Sequence, residues 1–166
     1  QDWMKAALTA RAAGLDPKSM RFVAFEGGGE AITALQGGHV QVYSGDASEA
    51  EEQIKAGAKI RVLAVLADKR LEGSMGSVPT MKELGFDVQW PIIRGFYMGP
   101  KVSDADFKVW SDTFAKMMAT PQYDKLRAER GLFKFALTGK ELDVFIKERM
   151  AAYRQLAADF HLKVAQ

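Results

Sequence analysis

The sequence predicts an α/β fold built on a parallel or mixed sheet. Three observations support this fold class. Apolar segments of strand length alternate with helical segments between residues 22 and 66, glycine turns separate them, and residues 60–67 are nearly all apolar, as in a strand buried on both faces. With 166 residues, 48% of them hydrophobic, the chain can form one ordinary domain or two small lobes.

The first half of the chain alternates between helix and strand. In order, the predicted elements are a helix over 2–13 ended by Gly14, a strand over 21–25, a helix over 30–36, a strand over 39–43, a helix over 46–56 and a strand over 60–67. Asp46 and Glu49 match a capping box, in which both side chains hold backbone N–H groups at the start of the third helix.

The second half becomes mostly helical. In order, the predicted elements are a loop over 68–78, a brief helix from Thr80 that stops at Gly85, strands over 86–90 and 92–98, a helix from Ser103, a helix from Pro121 that ends at Gly131, a strand over 133–137 and a last helix from Thr138. The apolar stripe from Phe107 to Met118 has helical spacing and predicts core. The change in pattern near residues 90–100 predicts a lobe boundary.

Composition excludes several classes of function. The formal net charge is +2 and the 23 basic residues are spread along the chain, so no nucleic-acid partner is predicted. The absence of cysteine excludes disulfides and thiolate chemistry. His39 and His161 lie far apart without local partners, so neither a metal site, a cofactor nor a catalytic triad is predicted. No apolar stretch is long enough to span a bilayer, and the first residues lack a signal-peptide pattern.

Two glycine-containing turns are candidates for binding an anion. They are Glu26-Gly27-Gly28-Gly29 and Ser44-Gly45-Asp46, each between a predicted strand and a helix. Backbone N–H groups at a helix start are unpaired and carry partial positive charge, which suits a carboxylate. Either turn could equally be only a flexible connection. One such contact gives only about 0.3–1 kcal/mol at an exposed site, so several loops would have to converge on a ligand.

Arg94 is the remaining candidate, because it interrupts an apolar segment. A guanidinium pairs well with a planar carboxylate, which could belong to a ligand or to an internal Asp or Glu; internal pairing is the favoured alternative. An enzyme would need a general base near the turns, and only Glu26, Glu30 and Asp46 are available there. The sequence therefore predicts binding rather than catalysis.

The chain resembles the extracytoplasmic solute receptors of tripartite tricarboxylate transporters, also called Bug-type or TctC receptors. Ordered motifs over most of the chain carry the resemblance, to the carboxyl-terminal half to two-thirds of the family. They include Ala13-Gly14-Leu15-Asp16-Pro17, Phe25-Glu26-Gly27-Gly28-Gly29, Leu35-Gln36-Gly37-Gly38-His39-Val40, Val78-Pro79-Thr80-Met81-Lys82-Glu83-Leu84-Gly85 and Arg94-Gly95-Phe96-Tyr97-Met98-Gly99-Pro100.

The resemblance implies a periplasmic-binding-protein fold of the second type, with a mixed-sheet lobe, returning carboxyl-terminal helices and the first part of the other lobe missing. Residues 1–90 would form the ligand-binding lobe, and residues 91–166 the crossover strand and the helices that pack on the other lobe. In the family, ligand carboxylates are held largely by backbone N–H groups and ordered water. Carried onto this chain, the ligand-binding residues are Phe25, Glu26, Gly27, Gly28, Ser44, Gly45, Asp46 and, more weakly, Arg94.

The implied function is capture of a di- or tricarboxylate in the periplasm and its delivery to the subunits of a membrane transporter, without stable membrane insertion of the receptor itself. A ligand that touches both lobes would favour the closed state. A ligand-sensing module for a signalling partner and an enzyme that uses the same anion-binding turns are the alternatives.

Overall fold

A computed structural model of the chain describes residues 1–162, and six α-helices lie within that range. They are α1 (Asp2–Ala12), α2 (Gly28–Gln36), α3 (Ala47–Lys55), α4 (Asp104–Met118), α5 (Pro121–Glu129) and α6 (Gly139–Asp159). Two single turns of 3-10 helix add Pro17–Ser19 and Gly73–Met75. Every α-helix coincides with a segment that the sequence predicts as helical.

The strand segments differ from the prediction. Within residues 1–162, the segments 21–25, 39–43, 60–67, 86–90, 92–98 and 133–137 form no regular strand. One isolated parallel bridge joins Val65 to Thr80 instead, with the Val65 N–H donating to the Pro79 carbonyl at 3.0 Å. An apolar pattern indicates which side chains are buried. A β-ladder also needs a second strand, from a distant part of the chain, that pairs in register. The mixed sheet therefore stays a prediction.

The ends of several helices follow from local chemistry. Gly14 has φ +77°, a left-handed conformation that favours glycine, and it stands just after α1. Ser103 accepts a hydrogen bond from the Asp106 N–H at 3.1 Å and so caps α4 as predicted. Thr80 and Glu83 form their reciprocal box, yet only a turn follows, because a segment this short gains too few hydrogen bonds to offset helix nucleation.

The chain divides into two compact units. Within the described residues, the N-terminal unit contains Gln1–Gly95 and Leu126–Phe133, and the C-terminal unit contains Phe96–Lys125 and residues 134–162. In the N-terminal unit, helix α1 contacts the 3-10 turn after it, and α2 packs against α3. All residues of the predicted binding turns, and Arg94, belong to this unit.

Buried apolar side chains are concentrated in the N-terminal unit. Among the described residues they are Ala7, Ala10, Ile32, Ala50, Val65, Met75, Met81, Val88 and Trp90 there, against Ala157 and Phe160 in the C-terminal unit. The prediction that the α4 stripe is core is wrong for this structure, because Phe107 and Trp110 are 47% and 52% exposed. The helix and its amphipathic spacing are present, but α4 presents much of that stripe to solvent.

Candidate functional site

The first predicted turn leads directly into α2. Gly27 is the residue before the helix, with extended backbone, and Gly28 is the first helical residue. Because the N-cap residue is glycine, it supplies no side-chain capping bond to the first N–H groups of this helix. Phe25 and Glu26 precede it on the exposed surface. In residues 1–162, neither side chain is hydrogen-bonded or ion-paired to another predicted site residue.

Tyr43 connects the two predicted turns. A β-carbon built on Gly28 would overlap the Tyr43 hydroxyl and the Glu49 carboxylate, and one built on Gly45 would overlap the Tyr43 ring. The Tyr43 hydroxyl donates to Glu49 Oε2 at 2.7 Å. Glycine at both turns permits this close packing around one aromatic side chain, which a larger residue would have to displace. The structure brings Gly28 and Gly45 close to the hydroxyl end of Tyr43, a residue that was not among the predicted site residues.

The Tyr43 phenol acts as a donor at neutral pH. Burial and the hydrogen bond to Glu49 raise the pKa of Tyr43 well above its ordinary value of 10.0, while the backbone N–H of Asp46 has a smaller lowering effect. The phenol oxygen thus lies near the start of α3 and the Glu49 carboxylate lies against the start of α2. Side chains of the chain itself occupy the space between the two turns.

Asp46 does not form the predicted capping box. It stands in the N-cap position of α3 without a side-chain capping bond. Its carboxylate instead pairs with Lys5 Nζ at 3.2 Å and with Arg94 Nη2 at 2.9 Å. Two cations compete more effectively for this carboxylate than the weaker backbone donors at the helix start. The prediction of an internal partner for Arg94 is confirmed in the structure.

Lys5 is the charged residue of this site that sequence reasoning missed. Its side chain is only 4% exposed, and Nζ contacts Asp2 Oδ1 at 2.7 Å as well as Asp46. The Ser44 hydroxyl donates to the Asp2 carbonyl at 3.3 Å, which also joins the second turn to α1. Lys5 is buried inside a segment that the sequence predicts as helical, but nothing in its local pattern indicates a partner 41 residues later. The two acids and the two bases here balance in charge.

The predicted residues thus fall into two groups. The structure gathers Gly28, Gly45, Ser44, Asp46 and Arg94 around Tyr43, Glu49 and Lys5. The other group, Phe25, Glu26 and Gly27, shows no such contact in the described part of the chain. A separate open pocket of about 390 Å³ in the N-terminal unit includes none of the predicted residues. It is lined by Asp68, Lys69, Arg70, Thr80, Lys82 and Glu83.

Two features are absent from residues 1–162. No group of three or more His, Asp or Glu side chains there is arranged to hold a metal ion. No helix in the same range has the length and apolar character needed to cross a bilayer. What the geometry offers is a pair of helix starts, a tyrosine–glutamate pair between them and a balanced ion-pair network beside them.

A family model described as the tripartite tricarboxylate transporter family receptor, TctC, matches residues 6–162. The chain belongs to this TctC receptor family. The match covers both units and all eight predicted site residues. The family that the model describes is a family of transporter receptors rather than of enzymes.

This TctC chain is also similar to two individual proteins. It is 27% identical over 145 residues to a Cupriavidus necator protein named "UPF0065 protein in gbd 5'region". This alignment covers 87% of this chain and 43% of the relative. The crystal structure of a TctC solute-binding protein from Polaromonas, without ligand, matches with a TM-score of 0.67 at 21% identity, over 96% of this chain and 54% of that one. The likeness shows a periplasmic-binding-protein-like fold. The chain spans about half the length of these relatives.

Proposed function

We propose that this chain is part of a periplasmic receptor that captures a small di- or tricarboxylate and delivers it to a membrane transporter of the tripartite tricarboxylate type. The observation that carries the proposal is the family match over residues 6–162. The proposed mechanism is capture by lobe closure, in which a ligand that touches two lobes favours the closed state. Residues 1–90 would supply most of one lobe and residues 91–166 the crossover strand and returning helices.

The proposed binding residues are those of the two turns. Backbone N–H groups after Gly27 and Gly45 would receive carboxylate oxygens, with Phe25, Glu26, Gly28 and Ser44 shaping the rim. The helix starts of α2 and α3 support this role, because each adds partial positive charge. Asp46 and Arg94 would act mainly by holding the second turn, since each already pairs within the chain.

A titration series tests this function. The purified chain is titrated by calorimetry with citrate, malate, succinate and glutamate, and the neutral diamide of succinate serves as the matched control. We expect saturable binding of at least one carboxylate and none of the diamide, because the proposed donors recognise negative charge. The absence of binding by every carboxylate, or equal binding of the diamide, would contradict the proposal. Conversion of any of these compounds during the titration would favour the enzyme alternative.

A further inference from the structure

The chain passes from the N-terminal unit to the C-terminal unit at two exits, after Gly95 and after Phe133, and it returns between them at Leu126. Arg94 stands directly before the first exit, and Gly131 stands two residues before Phe133. Each of these two residues lies against a carboxylate of helix α3 or of its N-cap residue. One helix of the N-terminal unit therefore contacts the chain at both exits.

The contact at the first exit is an ion pair. Arg94 Nη2 lies 2.9 Å from Asp46 Oδ2, and Asp46 is the N-cap residue of α3. The other oxygen of this carboxylate, Oδ1, pairs with Lys5 Nζ at 3.2 Å, and the Lys5 side chain is only 4% exposed. Because a buried lysine holds one oxygen of Asp46, the other oxygen is presented to the guanidinium in a defined position.

The contact at the second exit is a close packing of a turn on Glu51, a residue of α3. Gly131 has φ +62°, and a β-carbon built there would overlap Glu51 Oε2. The Glu51 side chain is 12% exposed, and its Oε1 accepts a hydrogen bond from the Ser74 hydroxyl. Arg127 Nη1 donates to the Leu132 carbonyl at 2.6 Å, which closes the turn around Gly131. A carboxylate fixed in this way positions the whole turn.

We propose that α3 holds the chain at both exits, through Asp46 at the first and Glu51 at the second. The consequence for closure rests on the proposed function, because lobe closure requires the chain to bend between the two units. Hinges are short stretches of backbone that absorb changes in φ and ψ. Residues held on α3 do not absorb such changes, so the bending begins just beyond them, at Gly95 and at Phe133.

Backbone ¹⁵N relaxation of the whole chain, measured without ligand, tests this inference. Arg94→Gln removes the ion pair at the first exit, and Glu51→Ala removes the carboxylate at the second. Glu52→Ala, at an exposed position of the same helix, is the matched control. Amide order parameters are about 0.85 in rigid backbone and below about 0.6 in flexible backbone, so they locate the start of a flexible segment residue by residue.

In the parent chain we expect order parameters of about 0.85 up to each exit and a fall below about 0.6 at Gly95 and at Phe133. Arg94→Gln should extend the first flexible segment back into the N-terminal unit, Glu51→Ala should extend the second in the same way, and the control should match the parent.

Three results would overturn the inference: low order parameters before either exit in the parent, no extension in a folded variant, or an equal extension in the control. If Glu51→Ala does not fold, the parent and Arg94→Gln decide the outcome. Because no ligand is added, failure of the carboxylate titration would overturn the proposed function and leave the anchoring of the exits standing.

Discussion

At the scale of single residues, Asp46 illustrates how tertiary partners override local sequence signals. The capping box with Glu49 is correct in spacing, but both carboxylates form other contacts: Asp46 with Lys5 and Arg94, and Glu49 with Tyr43. Sequence spacing reports which donors are near along the chain and cannot report a lysine 41 positions earlier. The second turn is therefore held in place by α1, which the sequence did not predict.

Replacement of Asp46 by Asn tests this contact. It leaves Lys5 buried with only the exposed Asp2 as an anionic partner, so we expect the free energy of unfolding to fall by about 1–3 kcal/mol, the range for a buried hydrogen-bonding group that loses its partner. Urea denaturation measures the change. Arg94→Gln removes the half-exposed partner of the same carboxylate and should cost less than about 1 kcal/mol. Equal losses for both variants would contradict the importance of the buried lysine.

At the scale of elements, helices were predictable from the sequence and strands were not. Gly14 and Ser103 mark helix ends through interactions that lie within a few residues, so their patterns transfer directly to the structure. The segments around Val65 and Trp90 depend on partners from elsewhere, and they form an isolated bridge and single hydrogen bonds rather than ladders. The candidate site also combines local and distant features. Its two turns were predictable from the sequence, whereas the contacts that Lys5 and Tyr43 make with those turns were not.

The cap of α4 gives a prediction at this scale. Ser103→Ala removes a side-chain acceptor that holds the Asp106 N–H, so we expect a loss of about 1 kcal/mol in the free energy of unfolding. Thr138→Ala is the matched control, because Thr138 occupies the same position before α6 without a side-chain capping bond. Its effect should stay within about 0.5 kcal/mol. Urea titrations of the two variants provide the comparison, and a larger loss for Thr138→Ala would overturn this assignment of the caps.

At the scale of the whole molecule, family membership was predictable from ordered motifs, although no single motif would have been specific enough. The distribution of the core was harder to foresee. The apolar spacing of α4 and that of α2 look alike in sequence, yet Ile32 is fully buried and Trp110, in the apolar stripe of α4, is 52% exposed. Periodicity identifies an amphipathic helix and cannot say what covers its apolar face.

Two truncations measure this difference. Ile32→Ala should lower the free energy of unfolding by about 2–5 kcal/mol, because it removes fully buried methyl groups and leaves a cavity. Val109→Ala should change it by less than about 0.5 kcal/mol, since the side chain is exposed and alanine favours helix. Chemical denaturation of both variants under one set of conditions tests the pair. Similar losses would show that Val109 is covered in solution.

Tryptophan fluorescence can report this uneven burial. Trp90, in the N-terminal unit, is 6% exposed, whereas Trp110, in the C-terminal unit, is 52% exposed. A dissolved collisional quencher such as acrylamide will reach the second indole and largely miss the first. In a Trp3→Phe variant, which removes the third, partly buried tryptophan of the N-terminal unit, emission that survives quenching comes mainly from one unit and the quenched fraction mainly from the other. That variant keeps one tryptophan in each unit, so the unfolding of each unit can be followed without a label.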